Sequence, residues 1–469
     1  MECSIIKKST IVGLLAIMLA LMCWTGCTKL LDVPAPDNKT IGKEIFNNKD
    51  SATAAVAGIY TGLSSTTNLL SGAISVYTGL YCDELSYNAQ QTQIQEFYSA
   101  ELSPANTTIE YYFWGGAYKH IYSANACIEG LEASTTLPEQ LKNQLIGECK
   151  VLRSLMYFHL IRCFGDVPLV KVTSYLQNEQ MPRTPVHIVE EFIEADLLKA
   201  KELLGTAYPS PDRARANKWV AAALLAQYYQ YKGNWQAAEQ EATAVINAGY
   251  YSMEEIGEVF LATSSEAIFL LQPVLNGYNT MEGNWLVPAG AMRPPITLSP
   301  TLLAAFETGD IRMKEWVGYK TVNGYVYSYP FKYKKRADFS TSFKLTEYTT
   351  LLRLSEMYLL RAEAKVALGQ LADAMTDLDL IRGRAGLPLI KEHSPSISAE
   401  ELKEKILHER RIELYAECGH RWYDLKRTGK VNQTMSAVKT KWQSTDTLWP
   451  VPATQIFLNP VLTQNEGYK

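Results

Sequence analysis

The sequence predicts a mostly α-helical protein of paired helices that carries one large irregular insertion. Three observations support this. Apolar residues recur every three or four positions over long stretches, two helix-turn-helix segments place small residues at one common spacing, and residues 266–348 break the pattern.

At the N-terminus, Lys7 and Lys8 precede an uncharged apolar run from Ile11 to Trp24, followed by Thr25-Gly26-Cys27. A basic start, a short apolar core and small residues mark residues 1–26 as a secretory signal; the core falls short of the roughly 20 residues a spanning helix needs. Small residues before a Cys, followed by the Pro-bearing stretch from Asp32 to Thr40, resemble a bacterial lipoprotein cleavage site. That makes Cys27 the expected lipidated residue and 27–40 a tether. Cys23, preceded by bulky Met22, is a poorer alternative, and an ordinary cleaved signal would leave Cys27 a spectator thiol. Acyl chains contribute about 0.8 kcal/mol per buried CH₂, so Cys27 carrying a diacylglyceryl and an amide-linked chain would be a stable anchor.

Residues 41–469 read as one domain. The run from Trp114 to Leu131 sets Ile121, Ala124, Ile128 and Leu131 on one helical face, and a second pattern starts at Leu137 and continues to Phe164. Gly165-Asp166-Val167-Pro168 stops it. Further helices are expected over 185–204, 214–231, 235–248, 351–368, 371–384 and 398–418. Two pairs resemble tetratricopeptide units, where small residues let partner helices approach closely. Ala226 and Ala238 flank Gly233-Asn234-Trp235, and Ala362 and Ala374 flank Gly369, with both alanine pairs 12 residues apart. The two units stand 136 residues apart, several times a repeat of about 34, so they are not in tandem. Helix pairs are expected mainly over 114–250 and 350–420.

Between them, residues 266–348 gather Pro, Gly, Asn and aromatics, and Tyr325-Val326-Tyr327-Ser328-Tyr329 alternates with the period of a strand. An irregular insertion on a rigid frame is a usual place for a binding surface.

Composition narrows the function. The chain has 469 residues, 47% hydrophobic, and 45 basic against 49 acidic residues, which argues against disorder and against nucleic acid as a partner. Beyond the signal and Cys27, five cysteines remain (Cys82, Cys127, Cys149, Cys163 and Cys418), an odd set with no disulfide pattern. Tyr is abundant, 28 against 13 Phe, and its apolar face with a polar edge suits sugars or peptides better than phosphates.

Several ordered stretches together resemble the SusD/RagB family of Bacteroidetes outer-membrane nutrient-binding lipoproteins. The most specific is Glu409 to Arg427, ERRIELYAECGHRWYDLKR, in which Cys418 spaces Glu417 from Gly419 by one residue more than the family pattern. The others are Arg162–Leu169, Glu266–Phe269, Leu298–Arg312 with Asp310-Ile311-Arg312, Tyr358–Ala364, Arg382–Leu387 and the C-terminal Trp449–Pro452, Asn459-Pro460 and Gln464–Tyr468. The resemblance implies a SusD-like fold of about four tetratricopeptide-like pairs. It also implies a surface lipoprotein that captures oligosaccharide and delivers it to a SusC-like TonB-dependent transporter, without catalysis or cofactor.

Recognition in such a family falls in loops matching Asp83–Tyr98 and Leu275–Arg293 here. Sugar capture needs rings against the pyranose face and amides or guanidinium groups at its hydroxyls. Tyr278 and Trp285 are the expected platforms, supported by Tyr87, with Asn88, Asn279 and Arg293 as hydroxyl partners. The bland alternative is that Trp285 and Tyr278 cover the scaffold. Trp316, Tyr319, Tyr325, Tyr327 and Tyr329 are expected mostly to pair across a hairpin. Arg410, Arg411, Glu413, Arg421, Asp424 and Arg427 are expected to form structural ion pairs. Asp83-Glu84 are adjacent and cannot flank a glycosidic bond from opposite sides. The six His are dispersed, so no metal site is expected. A surface scaffold binding protein or peptide, without glycan specificity, is the alternative function.

Overall fold

The computed structural model describes residues 44–65 and 68–468. The expected signal peptide, Cys27 and the tether to residue 40 lie outside the described residues. Asn48 opens helix α1 (Lys49–Leu63) by accepting from the backbone N–H groups of Asp50 and Ser51. The frame continues through α2 (Ala73–Tyr81), α3 (Gly115–Ala133), α4 (Glu139–Phe164), α5 (Val186–Leu203), α6 (Lys218–Lys232) and α7 (Trp235–Ile246). It resumes with α8 (Leu354–Ala367), α9 (Leu371–Arg384), α10 (Ala399–Glu413) and α11 (His420–Arg427).

From α3 to α9 each of these helices packs on the next, and α10 packs on α8. Alanine explains how closely they sit. Ala221, Ala222, Ala223 and Ala226 on α6, Ala238 and Ala242 on α7, and Ala362, Ala364 and Ala374 on α8 and α9 are all fully enclosed. The turn between α6 and α7 passes through Gly233 at φ 69, and Ser398 and Glu401 form a reciprocal cap on α10.

The two pairs that lie 136 residues apart in sequence are neighbours in space, because α7 packs directly on α8. The array is thus continuous, and the residues between α7 and α8 loop out of it. The expected helices are observed to within a few residues, apart from the following. A π-helical turn, Ile109–Trp114, precedes α3, residues 351–353 belong to a strand, and α10 ends at Glu413 rather than Cys418. From Leu414 to Gly419 the chain turns instead, with Ala416, Cys418 and Gly419 all at positive φ. That is how the extra residue at Cys418 is accommodated: its N–H donates to Ser75 Oγ at 3.1 Å.

Six short strands organise the rest: β1 (Leu85–Tyr87), β2 (Ala267–Leu271), β3 (Ile296–Leu298), β4 (Val317–Val322), β5 (Tyr325–Pro330) and β6 (Thr349–Arg353). The buried antiparallel pair β2–β6 closes the neck of the excursion. β1 pairs with β3, stitching Tyr87 opposite Ile296. β4 and β5 form a hairpin through Asn323 and Gly324, at φ 51 and 80, the pair of positive angles that a two-residue turn requires. Tyr325, Tyr327 and Tyr329 sit on this hairpin, each opposite a β4 residue. Trp316 is not on the hairpin: it ends the preceding short helix, is fully buried, and donates from Nε1 to the Ile256 carbonyl at 2.8 Å.

Frame and excursion meet in a buried ionic cluster. Arg353 Nε donates to Glu417 at 2.8 Å, and its Nη1 reaches Glu266 at 2.8 Å and Glu413 at 2.7 Å. Arg384 bonds Glu266 and Glu413. Arg312 bonds Asp310 at 2.8 Å, Glu409 at 2.6 Å and Glu413 at 2.9 Å. Arg382 reaches Glu409, and Lys332 reaches Glu417. Five cations (Arg312, Lys332, Arg353, Arg382, Arg384) thus meet five buried carboxylates (Glu266, Asp310, Glu409, Glu413, Glu417), and Arg382 also pairs with the partly exposed Glu307 at 2.7 Å. Burial raises the cost of charge on Glu413, but Arg384, Arg353 and Arg312 outweigh it and hold the carboxyl well below the usual range. The other suspected charges are structural too: Arg410 and Arg427 hold Asp424, and Arg411 and Arg421 hold Asp83.

Replacing Arg353 with Met leaves Glu266, Glu413 and Glu417 one positive charge short, with only Arg384, Arg312 and Lys332 to share among them, so we expect a loss of about 3–5 kcal/mol at pH 8. The carboxyl left without compensation would have a folded pKa above its unfolded one, a penalty that grows as pH climbs between the two. The loss should therefore shrink at pH 5. Urea unfolding at both pH values is the check, and equal losses would exclude charge imbalance as the cause.

Candidate functional site

The expected recognition loop at Asp83–Tyr98 is mostly regular structure. It comprises β1 and a short helix, Thr92–Ser99, whose Phe97 is fully buried against Tyr77 and Tyr81. Tyr87 is 8% exposed, and its hydroxyl accepts from the Gln91 N–H at 3.1 Å at the start of that helix. This places Tyr87 in the core rather than on a binding surface. Asp83 is held by two arginines, and Glu84 is buried, pushed up to about 7 by burial, with Oε2 accepting from the Ala416 N–H.

Asn88 and Arg293 do come together. The β1–β3 pairing sets their loops side by side, and Arg293 Nη2 donates to Asn88 Oδ1 at 2.8 Å. Asn88 Nδ2 donates to Thr297 Oγ1 at 2.9 Å, and the exposed Arg293 guanidinium lies 5.0 Å from the Tyr327 ring centre. Asn279 is different. At 4% exposure its Oδ1 accepts from the N–H groups of Thr346 and Glu347, and its Nδ2 donates to the Lys344 carbonyl. Its amide staples the two ends of the excursion and has no face left for a ligand. Tyr278 is half-buried, edge-on to Phe339 at 5.4 Å.

Trp285 is half-buried on a short helix, Met281–Leu286, that Thr280 caps. Its ring lies 6.0 Å from Tyr77 and 6.2 Å from Tyr112. Tyr112 and its neighbour Tyr111 belong to the π turn before α3, and they open onto a groove of about 500 Å³. Tyr111 is 70% exposed. Sequence periodicity did not single out these two tyrosines. The available signal was the pair Gly115-Gly116 after the aromatic run: a Cβ on Gly115 would lie 2.9 Å from the Glu110 carbonyl oxygen, and one on Gly116 2.7 Å from that of Tyr111. The wide turn needs two glycines there. Widened turns of this kind recur at functional sites.

The groove carries one charge of each sign, Lys119 and Glu110, around an uncharged ring. His120, buried and thereby pushed down to about 4, remains uncharged through physiological pH, and its Nε2 lies 2.6 Å from Asn68 Nδ2. Gly62 leaves room for that ring, since any Cβ would meet it at 2.8 Å. Ser65 and Thr107 add hydroxyls to the wall. Glu110 is braced from the C-terminal segment by Thr454 Oγ1 at 2.7 Å and Gln455 Nε2 at 2.8 Å. Rings beside hydroxyls, an amide, a neutral imidazole, Lys119 and Glu110 suit a hydroxyl-rich ligand.

Residues 316–468 match the SusD family, and residues 36–230 match a family described as starch-binding associating with outer membrane. A SusD-like protein of Formosa agariphila is 25% identical over 98% of this chain and 99% of its own length. A SusD-like protein of Bacteroides ovatus is 28% identical over 44% of this chain and 38% of its own length. Among solved structures, a SusD superfamily protein from Bacteroides vulgatus covers 90% of this chain and 100% of its own, with TM-score 0.79 and 21% identity. One from Parabacteroides distasonis gives 0.78 at 24% identity, covering 90% and 99%. A laminarin-binding SusD-like protein gives 0.74 at 22% identity, covering 90% and 100%.

Gly116→Ala should crowd the π turn and cost about 1–3 kcal/mol. Gly58→Ala on α1, where a Cβ meets nothing within 4 Å, should be neutral or stabilise by roughly 0.5–1 kcal/mol. Urea midpoints of the two variants test whether the turn, rather than glycine content, is what matters.

Proposed function

This chain belongs to the SusD family, and from that membership we propose that it is an outer-membrane lipoprotein, anchored through Cys27, that captures oligosaccharide at the cell surface. It hands the ligand to a SusC-like TonB-dependent transporter and performs no chemistry on it. The observation that carries the reading is the row Tyr111, Tyr112 and Trp285 beside a groove lined by hydroxyls, an amide, Lys119 and Glu110. The rings come from two distant parts of the chain, and Tyr111 is free to lie against the C–H face of a pyranose.

The family description of residues 36–230 names starch, and a structural neighbour of similar fold binds laminarin. Both support a neutral glucan-type ligand. Asn88 and Arg293, bonded to each other beside Tyr327, form the second proposed contact, and Tyr278 with Phe339 a third. No helix among the described residues is long and apolar enough to cross a membrane, in keeping with attachment through lipid at Cys27.

Trp285→Ala and Tyr111→Ala should each reduce retention on a soluble β-glucan or starch gel at least tenfold, with Tyr111→Ala leaving the melting temperature within about 1 °C because its ring is exposed. Affinity electrophoresis against a panel of neutral glycans is the measurement. Unchanged retention of both variants on every glycan bound by the parent would exclude the groove.

A further inference from the structure

We propose that a second pocket, at the carboxyl end of α4, binds a small oxyanion: the carboxylate of a sugar acid, or sulfate. The pocket holds about 410 Å³ and shares no lining residue with the groove. Arg162, Asp166, Arg183, Tyr231, Lys426 and Asn465 line it, so three cations face one carboxylate.

The three cations have no carboxylate within ion-pair distance among the described residues. The Arg162 guanidinium lies between two rings, 3.8 Å from the centre of Phe158 and 3.6 Å from that of Tyr423. Its Nε donates to the Phe158 carbonyl and its Nη2 meets His159 Nδ1 at 3.3 Å, which leaves Nη1 with no protein partner. Lys426 Nζ makes one hydrogen bond, to the Arg162 carbonyl at 2.5 Å. Arg183 spends its donors on the carbonyls of Phe164, Asp166 and Thr463 and on Asn465 Oδ1. The one acid, Asp166, accepts from the Val186 N–H at 2.8 Å.

Elsewhere the fold treats enclosed arginines differently. Arg153, Arg312, Arg353, Arg382 and Arg410, the most deeply buried, each meet a carboxylate. A purely structural account would have the three cations neutralise the end of α4, whose dipole amounts to about half a negative charge. That falls well short of a surplus of two positive charges. Burial, with repulsion from Arg162 adding to it, pushes Lys426 down to about 8. A bound anion would supply the missing counter-charge, and the free Nη1 of Arg162 together with the free protons of Lys426 would be its donors. The volume suits a single sugar acid or an inorganic anion, within the range of small-ligand pockets.

The full-length mature protein should be titrated by calorimetry with sodium sulfate, sodium glucuronate and glucose, at constant ionic strength set with chloride. Saturable binding of at least one anion, and none of glucose in this pocket, is expected; glucuronate alone would mark a sugar-acid site, and sulfate as well a general oxyanion site. Lys426→Met should weaken that binding tenfold or more. Lys426→Gln, which keeps a donor for the Arg162 carbonyl, should do the same if the Met variant fails to fold. Lys441→Met, which removes an exposed lysine paired with Glu101, should leave it unchanged. No saturable response to either anion, or full affinity in both Lys426 variants, would overturn the proposal.

Discussion

The buried ionic cluster around Arg353 and Glu413 is the constraint on which the remaining architecture depends. Glu266 and Arg353 sit at the neck of the excursion, Asp310 and Arg312 inside it, Arg382 and Arg384 at the end of α9, and Glu409, Glu413 and Glu417 on α10 and its turn. Ion pairs sealed from water are poor sources of net stability, because desolvation offsets most of their attraction. They are demanding about geometry, since any shift leaves a charge unpaired. The cluster therefore fixes where the excursion seats on the helical frame more than how firmly the chain folds. The stretches that carry the family resemblance supply all of these residues except Lys332 and Arg353, which gives that resemblance a physical content.

The frame was readable because helical periodicity and small-residue spacing are local signals. The α6–α7 and α8–α9 pairs fall within a few residues of their expected bounds. Their adjacency was not readable, because the α7–α8 contact spans the whole excursion and no local pattern encodes it. The residues proposed to bind divide along the same line. Trp285 stands out in sequence as an aromatic in a polar loop. Tyr111 and Tyr112 do not, because they lie within a helical run, where period alone reads as packing; only the adjacent glycines signal a widened turn. Residue type alone points Asn279 and Tyr87 toward ligand contact, but a long excursion also needs internal staples. An amide that binds two backbone N–H groups looks, in sequence, the same as one that faces solvent.

The groove gathers distant parts of the chain. The π turn lies near the start of the described residues, Trp285 in the excursion, and the helix Ala453–Leu458 that braces Glu110 near the C-terminus. Convergence of this kind holds the rings still before a ligand arrives, which reduces the ordering cost of binding. It also separates two tasks. Stability resides in the alanine-packed helices and the seating of the excursion in the ionic cluster, while the rings sit outside both.

For the proposed capture role, the shape of the groove sets the strength of binding. An open surface of about 500 Å³ with one strongly exposed ring buries only part of a sugar chain. Each stacking contact contributes modestly, so single-site affinity is expected to be weak by comparison with enclosed pockets. A protein tethered by lipid beside many copies of itself, facing a polymer with many repeats, does not need tight individual sites, because rebinding raises the effective concentration. Weak sites also release their cargo, and a capture protein that must pass its ligand onward is served by that. A deep, dry pocket would hold the oligosaccharide too long to deliver it, so the open groove is consistent with transfer rather than storage.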